Sequence, residues 1–263
     1  MHLRRVVVAA VLVPLLYLYV MRLPVQYFFY LLVMVAGLGL YEFYAMFRLN
    51  TVMKYLGVAW GIGLMAAFFL SLADMYTLSL ISVLFFLAFR LFLRADPENS
   101  MREAATVILG LLYVPGLLTF QLSIAMRSPE WIILLYASVW AADSMAYYIG
   151  KGIGRHKLYE AISPNKTVEG AAGSVLGGIL GAGIINIAVI HYLSILQVSI
   201  LGAAVGLTTI VGDLVESMLK RDAGVKDSGR IFPGHGGILD KIDGSTFAGP
   251  VFFWVCLRFG LIR

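Results

Sequence analysis

Apolar stretches long enough to cross a lipid bilayer recur along this chain from end to end. A bilayer-spanning helix needs about 20 mostly apolar residues, and charged breaks divide the sequence into nine stretches of roughly that length. Only helices and closed barrels satisfy their backbone polar groups inside lipid, so we predict an all-α, polytopic membrane protein with about nine transmembrane helices. The predicted spans are residues 6–21, 25–47, 52–72, 76–93, 104–126, 131–150, 170–192, 199–215 and 246–262.

The composition agrees with a membrane protein that forms one domain. Hydrophobic residues make up 60% of the chain and charged residues 13%, against about 45–50% and about 25% in soluble domains. The single cysteine, Cys256, excludes a disulfide framework and a thiolate zinc cluster. Arg4 and Arg5 precede the first apolar stretch without a small-residue cleavage site, which favours a retained span over a signal peptide. We expect one domain over 1–263, with its catalytic half at about 131–263.

The distribution of basic residues predicts the orientation of the spans. With the N-terminus inside, 16 of the 20 Lys and Arg residues fall on or near the inner side, and Arg22, Arg127, Arg258 and Arg263 fall outside. Cytoplasmic loops carry this excess in membrane proteins. We expect a multi-pass protein of the cytoplasmic inner membrane whose site faces the cytoplasm. The inner charge suits anionic headgroups and nucleotide phosphates, although topology alone explains any single arginine equally well.

Two predicted inner loops combine polar residues, glycines and carboxylates. The first is GKGIGRHKLYEAISPNKTVEG at 150–170, and the second is KRDAGVKDSGRIFPGHGGILDKIDG at 220–244. The second holds nine of the 35 charged residues of the chain in 25 positions. Because both loops lie on the same side of the membrane, we expect them to form one site.

The stretch GDLVESMLKRD, which overlaps the second loop, begins where an apolar run ends. On a helix, Asp213, Glu216, Ser217 and Lys220 share one face. An ionisable group at membrane depth is costly and usually faces a polar cavity with a function. The alternative is a helix-end carboxylate that pairs with Lys220 or Arg221.

The rest of the second loop has the composition of a phosphate and magnesium site. Glycine-rich backbone can cradle phosphate oxygens, and Lys226 and Arg230 add positive charge, although the same residues are common in ordinary turns. Asp240 and Asp243, three apart, share one helical face. Mg²⁺ is usually held by one or two carboxylates together with phosphates and waters. His235 has no second histidine nearby, so we favour a phosphate contact or a turn-stabilising role for it.

The first loop offers a carboxylate and a second anion site. Asp143 lies near the inner end of a span, and Ser163 and Pro164 are a plausible N-cap and first helical residue. A helix N-terminus with Lys166 and Thr167 close by binds anions readily. The alternative for Asp143 is a buried, hydrogen-bonded carboxylate without a ligand. The alternative for 163–170 is a capped helix start that binds no anion.

The stretch GAAGSVLGGILGAG at 170–183 is rich in small residues. Small residues at such spacing let membrane helices approach closely. We expect a packing role for them rather than a cofactor role.

The second loop carries a spaced motif. The residues S-x-L-K-R, then K-D-x-G, then P-x-H-G-G-x-x-D-x-x-D fix more than a dozen positions over 217–243. This pattern resembles the signature of the phosphatidate cytidylyltransferases, also called CDP-diacylglycerol synthases, and SPNKTVEG is similar to the second motif of that family. Lys241 stands where the family usually has arginine, which would remove a bidentate contact with phosphate.

The resemblance implies a Mg²⁺-dependent nucleotidyltransferase of phospholipid biosynthesis. A phosphate oxygen of phosphatidic acid would attack the α-phosphorus of CTP, giving CDP-diacylglycerol and pyrophosphate. Such transfers depend mostly on positioning and on neutralisation of charge. The implied partners are CTP, phosphatidic acid and the bilayer, with a second cation beside Mg²⁺ and a homodimer as further expectations, and no nucleic acid.

The resemblance also implies roles for individual residues. The expected metal ligands are Asp213 and Asp240, with Asp243 as a weaker candidate. The expected catalytic residues are Asp213, Asp240, Lys220, Lys226, Asp227 and His235. The expected substrate-binding residues are Ser163, Lys166, Thr167, Ser217, Arg221, Arg230, Gly236, Gly237 and Asp143.

Two other functions would use some of the same residues. A CTP-dependent polyprenol or dolichol kinase would transfer the γ-phosphoryl group and release CDP instead of pyrophosphate. An ion-coupled transporter would use Asp143 and Asp213 as cation sites, but it leaves the lysine- and glycine-rich loops unexplained. A non-catalytic scaffold leaves the whole motif without a purpose.

Overall fold

The computed structural model describes residues 14–93, 96–231 and 236–262, and these residues are mostly helical. Within these ranges, seven helical segments are long and apolar enough to cross a membrane. A π-helical turn, Leu112–Gly116, joins α5 to α6 into one continuous segment, and another, Asn186–Ile190, extends α8 at its C-terminal end. The helices are α1 (14–22), α2 (Val25–Met46), α3 (Thr51–Phe69), α4 (Met75–Leu93), α5 (Ser100–Leu111), α6 (Leu117–Arg127), α7 (Pro129–Ile153), α8 (Val168–Ile185), α9 (Ile195–Asp222) and α10 (Leu239–Arg258).

The expected all-α, polytopic fold is confirmed, and each span predicted from residue 25 onward corresponds to an observed helical segment. Of the predicted first span, 6–21, the second half is helical as part of α1, and residues 6–13 lie outside the described residues. The expectation that this span is retained stays a prediction. The last predicted span corresponds to α10, which is not among the seven apolar segments. Its first turns carry Asp240, Lys241 and Asp243, so this helix enters the membrane region from a polar site.

A small β-hairpin stands where we expected a helix start, and this prediction was wrong. Strand β1 (Lys157–Tyr159) pairs antiparallel with β2 (Ser163–Thr167), so Ser163 and Pro164 are strand residues. The N-cap of α8 is Thr167, whose side chain accepts a hydrogen bond from Gly170 N at 3.1 Å. Pairing with β1 keeps the chain extended as far as Thr167. The N-cap of the helix therefore lies four residues later than the predicted N-cap, Ser163.

Helices α7, α8 and α9 pack closely because α8 has glycine on two faces. A Cβ atom at Gly177 would collide with the carbonyl of Ala141 in α7, and one at Gly178 would collide with the carbonyl of Gly202 in α9. The helices thus contact each other through their backbones. The structure confirms the expected packing role of the small residues in 170–183.

The order of contacts shows that α7 to α10 run antiparallel to their neighbours in sequence. Gly170 of α8 approaches Ala146 of α7, whereas Gly181 approaches Ala137. In α9, Gly212 approaches Asp243 of α10. The β-hairpin and the connection from α9 to α10 therefore emerge at the same end of the bundle, which brings the two polar loops together as expected.

Candidate active site

A polar cavity of about 730 Å³ lies between the β-hairpin, the C-terminal parts of α7 and α9 and the N-terminal parts of α8 and α10. It brings together residues from both of the loops that the sequence singled out. Three predicted site residues from the first loop line it, together with one from α7, one from α9 and two from α10. The predicted site residues that line the cavity are Asp143, Ser163, Lys166, Thr167, Asp213, Asp240 and Asp243.

An ion pair connects the hairpin with α9 across this cavity. Lys166 Nζ lies 2.6 Å from Asp213 Oδ2, and Ser217 Oγ lies 3.4 Å from the other oxygen of Asp213. The side chain of Asp213 is 40% exposed. The Asp213 carboxylate therefore borders open solvent and is accessible to a ligand that enters the cavity, whereas the Lys166 ammonium is buried beside it.

A second lysine joins two carboxylates deeper in the site. Lys220 Nζ donates to Asp240 Oδ1 at 2.5 Å and to Glu216 Oε2 at 3.0 Å. Glu216 is 1% exposed and Lys220 is 8% exposed. Buried charges are tolerated when they are paired and hydrogen-bonded, and here Lys220 connects α9 to the start of α10.

The other oxygen of Asp240 organises the connection between α9 and α10. Asp240 Oδ2 accepts hydrogen bonds from Ser228 N at 3.0 Å, Ser228 Oγ at 2.9 Å and Gly237 N at 2.8 Å. With Lys220, three nitrogen donors among the described residues meet this carboxylate, and the Ser228 hydroxyl shares its one proton between Asp240 and Glu42 Oε2. Asp240 therefore fixes the positions of Ser228 and Gly237 relative to the cavity.

The remaining predicted residues of the second loop occupy different places. Gly236 has a φ of 85°, in the region that favours glycine. Arg221 is exposed and donates to the carbonyl of Val225 at 3.0 Å. Three further residues are exposed and do not line the cavity, and His235 lies outside the described residues. The three exposed residues are Lys226, Asp227 and Arg230.

A smaller, mainly apolar cavity of about 190 Å³ adjoins the polar one among α1, α2, α6, α7 and α10. Its apolar walls include Leu32 and Val139, and the exposed Lys241 lines it as well. Asp143 and Asp243 line both cavities. A water-soluble ligand in one cavity and a lipid in the other would therefore meet at these two carboxylates.

The sequence analysis missed two residues that the structure connects to the site. Glu42 of α2 accepts hydrogen bonds from Ser228 Oγ and Leu239 N, both at 3.1 Å. It lies outside the range 131–263 in which we expected the catalytic half. The signal for Glu42 was present, because it is the single charged residue in α2 and an ionisable group at membrane depth usually faces a polar interior. Nothing in the sequence distinguished Ser228 from other loop serines.

The carboxylates of the cavity suit a cation that arrives with a phosphate ligand. Among residues 14–93, 96–231 and 236–262, no three His, Cys, Asp or Glu side chains form a metal site by themselves. Mg²⁺ commonly takes one or two protein carboxylates and completes its shell with phosphates and waters. Both carboxylates already contact a cationic group. The Lys166 ammonium lies 2.6 Å from Asp213, and the Lys220 ammonium lies 2.5 Å from Asp240. The donor set therefore fits Mg²⁺.

Comparison with known proteins gives consistent matches. A phosphatidate cytidylyltransferase of Synechocystis is 49% identical over 130 residues, which cover 48% of this chain and 43% of that protein. One of Thermotoga maritima is 36% identical over 183 residues, covering 66% of this chain and 68% of that protein. One of Staphylococcus epidermidis is 38% identical over 152 residues, covering 58% of each. The matched regions thus span from less than half to about two thirds of these relatives.

The family comparison covers more of the chain than any of these relatives does. The sequence profile of the cytidylyltransferase family matches residues 3–259. This range includes both polar loops and every helix that contributes to the two cavities. The chain belongs to the cytidylyltransferase family.

Proposed function

We propose that this protein is a phosphatidate cytidylyltransferase, which transfers CMP from CTP to phosphatidic acid and releases pyrophosphate. The observation that carries the proposal is the meeting of a polar and an apolar cavity at Asp143 and Asp243. A nucleoside triphosphate requires a polar cavity, and a diacyl lipid requires an apolar one. The names of the relatives and the family membership support the same reaction.

In this proposal the polar cavity receives CTP. Lys166 and the neighbouring Ser163 and Thr167 contact phosphate oxygens from the hairpin side, and Lys220 contacts them from α9. Lysine ammonium groups are compact charges that suit phosphate recognition. Binding of the triphosphate would draw Lys166 and Lys220 away from the carboxylates that they now contact.

Asp213 and Asp240 would hold Mg²⁺ in this proposal, and Asp243 would support it or a second cation. When bound, Mg²⁺ supplies positive charge that neutralises the phosphate oxygens at the reacting phosphorus. The carboxylates need a cation in place of each lysine that moves to the nucleotide. Asp240 keeps its hydrogen bonds from Ser228 and Gly237, so it remains oriented while its other oxygen changes partner.

The lipid phosphate would enter from the apolar cavity with Lys241 beside it. A phosphate oxygen of phosphatidic acid then forms a bond to the α-phosphorus of CTP, while the bond from that phosphorus to the bridging oxygen breaks. Pyrophosphate leaves with the electron pair of that bond. The chain contributes positioning and charge compensation, which supply most of the catalysis in such transfers.

We also propose that the site faces the cytoplasm, where CTP is found, in the inner membrane of the cell. The excess of basic residues at the predicted inner side supports this orientation. The exposed apolar side chains on α4, including Leu84, Leu91 and Phe92, suit a surrounding of lipid. The homodimer stays a prediction that the mass of the purified protein in detergent would test.

Pyrophosphate release by the purified protein tests the proposal. The assay contains CTP, Mg²⁺ and phosphatidic acid in detergent, and each component is omitted in turn. We expect release only with all three present, together with CDP-diacylglycerol as the lipid product. Release that continues without phosphatidic acid, or a lipid product without cytidine, would refute the proposal.

A further inference from the structure

Glu42 lies in the apolar helix α2, far from the second loop in sequence but in contact with it in space. It is 3% exposed. Its Oε2 atom accepts hydrogen bonds from Ser228 Oγ and Leu239 N, both at 3.1 Å. Ser228 lies within the connection between α9 and α10, and Leu239 is the first residue of α10, so one side chain of α2 contacts this segment at two separate points.

The backbone of this connection is shaped to fit the Glu42 carboxylate. A Cβ atom at Gly229 or at Gly237 would collide with the carboxylate oxygens of Glu42. Both positions therefore need a residue without a side chain. The two glycines allow the loop backbone to close on the carboxylate from both sides.

Ser228 connects Glu42 to the site. Its Oγ lies 3.1 Å from Glu42 Oε2 and 2.9 Å from Asp240 Oδ2, so its single hydroxyl proton is shared between the two carboxylates. The second donor to Glu42, the Leu239 amide, directly precedes Asp240. Displacement of either donor would therefore move Asp240, and Lys220 with it, because Lys220 is bound to Asp240.

Packing alone does not account for a glutamate at this position. A carboxylate taken out of water costs several kcal/mol unless it is paired or hydrogen-bonded. An apolar residue would fill the same volume of α2 without that cost. The carboxylate can accept hydrogen bonds from Ser228 and Leu239, and an apolar side chain cannot.

We infer that Glu42 is a positioning residue, which holds Ser228 and the start of α10 so that Asp240 faces the polar cavity with Lys220 bound to it. The effect on catalysis rests on the proposed function. The effect on the loop does not, so the two can be tested separately.

Limited proteolysis with trypsin in detergent tests the effect on the loop. Lys226 and Arg230 are exposed and flank Ser228, so their cleavage rates report how firmly the segment is held. Hydrogen bonds to charged groups are strong, and we expect Glu42→Ala to accelerate both cleavages by about tenfold or more. Glu42→Gln should stay within about threefold of the parent, because its amide oxygen can accept from both donors.

Tyr44→Phe is the matched control on the same helix. Tyr44 is fully buried and its hydroxyl donates to the carbonyl of Val107 at 3.0 Å, away from the loop. It should lower the thermal unfolding midpoint without accelerating cleavage at Lys226 and Arg230. If Glu42→Ala does not yield folded protein, Ser228→Ala removes the bridging hydroxyl from the loop side and should accelerate the same two cleavages.

Kinetics separate positioning from direct participation. In the cytidylyl transfer assay, Glu42→Ala should lower kcat by about tenfold or more and Glu42→Gln should largely restore it.

Unchanged cleavage in Glu42→Ala, or in Ser228→Ala where that variant replaces it, overturns the inference. Loss of turnover in Glu42→Gln with normal cleavage also overturns it, because the charge itself would then act. If the parent protein transfers no cytidylyl group, the proposed function fails while the cleavage rates still decide the role of Glu42.

Discussion

The Lys220 ammonium lies 2.5 Å from Asp240 Oδ1, and this contact connects α9 to the first turn of α10. The same ammonium lies 3.0 Å from Glu216 Oε2. Two carboxylates thus share one buried cation, and one of them, Asp240, lines the polar cavity. In the proposed reaction, Lys220 would contact a substrate phosphate, and a metal cation would take its place beside the carboxylates.

Asp240→Asn should lower turnover by about 100-fold or more, the scale on which single electrostatic contacts act in active sites. The amide keeps the size of the side chain but loses the charge that holds Lys220. Initial rates of CDP-diacylglycerol formation measure the effect. Asp222→Asn, which removes an exposed charge near the same loop, should stay near the parent rate. Near-normal turnover in Asp240→Asn would remove this residue from the catalytic site.

Asp213 and Lys166 should give different kinetic effects although they form one ion pair. Asp213→Asn should lower kcat by about 100-fold, because the proposed Mg²⁺ site loses a ligand. Lys166→Ala should mainly raise the KM for CTP, by about tenfold, because it removes a phosphate contact. The control is Arg155→Ala, at an exposed position just before strand β1, which should leave both parameters near the parent values. Equal losses of kcat in both variants, with no change in KM, would contradict the separate roles.

Substitutions of Lys241 should act on the lipid substrate. Lys241 lines the apolar cavity, so Lys241→Ala should raise the KM for phosphatidic acid by about tenfold and leave the KM for CTP nearly unchanged. Lys241→Arg should be tolerated or mildly activating, because guanidinium can contact phosphate through two donors. A collapse of the rate in Lys241→Arg would show that this loop has a geometry of its own.

Gly177→Val should destabilise the bundle without touching the site. Its side chain would enter the backbone of α7 at Ala141, and overpacking of a close contact costs about 1–3 kcal/mol. The thermal unfolding midpoint in detergent should fall. Gly63→Ala is the control, because a Cβ atom at Gly63 meets nothing within 4 Å and alanine favours a helix. An unchanged midpoint in Gly177→Val would mean that α7 and α8 do not depend on this contact.

The sequence predicted the helices well because their signal is physical and local. Runs of about 20 apolar residues between charged breaks leave few alternatives inside lipid. The same reasoning failed at Ser163, since a serine followed by proline is a good helix start unless the chain forms a strand pair. The pairing of Lys157 with Thr167 is a contact over ten residues, which no local cap rule includes.

The site was predicted in part, for a similar reason. Asp143, Lys166, Asp213 and Asp240 were expected together because their loops lie on one side of the membrane, and the structure places them on one cavity. Which carboxylate each lysine contacts depends on the relative rotation of α9 and α10. That rotation is set by packing between helices and has no signature in a local motif.

In the proposed reaction, the lipid phosphate attacks the α-phosphorus of CTP. The most direct test of this step uses CTP labelled either at the α-phosphorus or at the γ-phosphorus, with purified protein, Mg²⁺ and phosphatidic acid in detergent. We predict that the α-label appears in the lipid product and that the γ-label appears in pyrophosphate. Transfer of the γ-label to lipid would show a lipid kinase instead, and the absence of label from lipid in both experiments would contradict the account altogether.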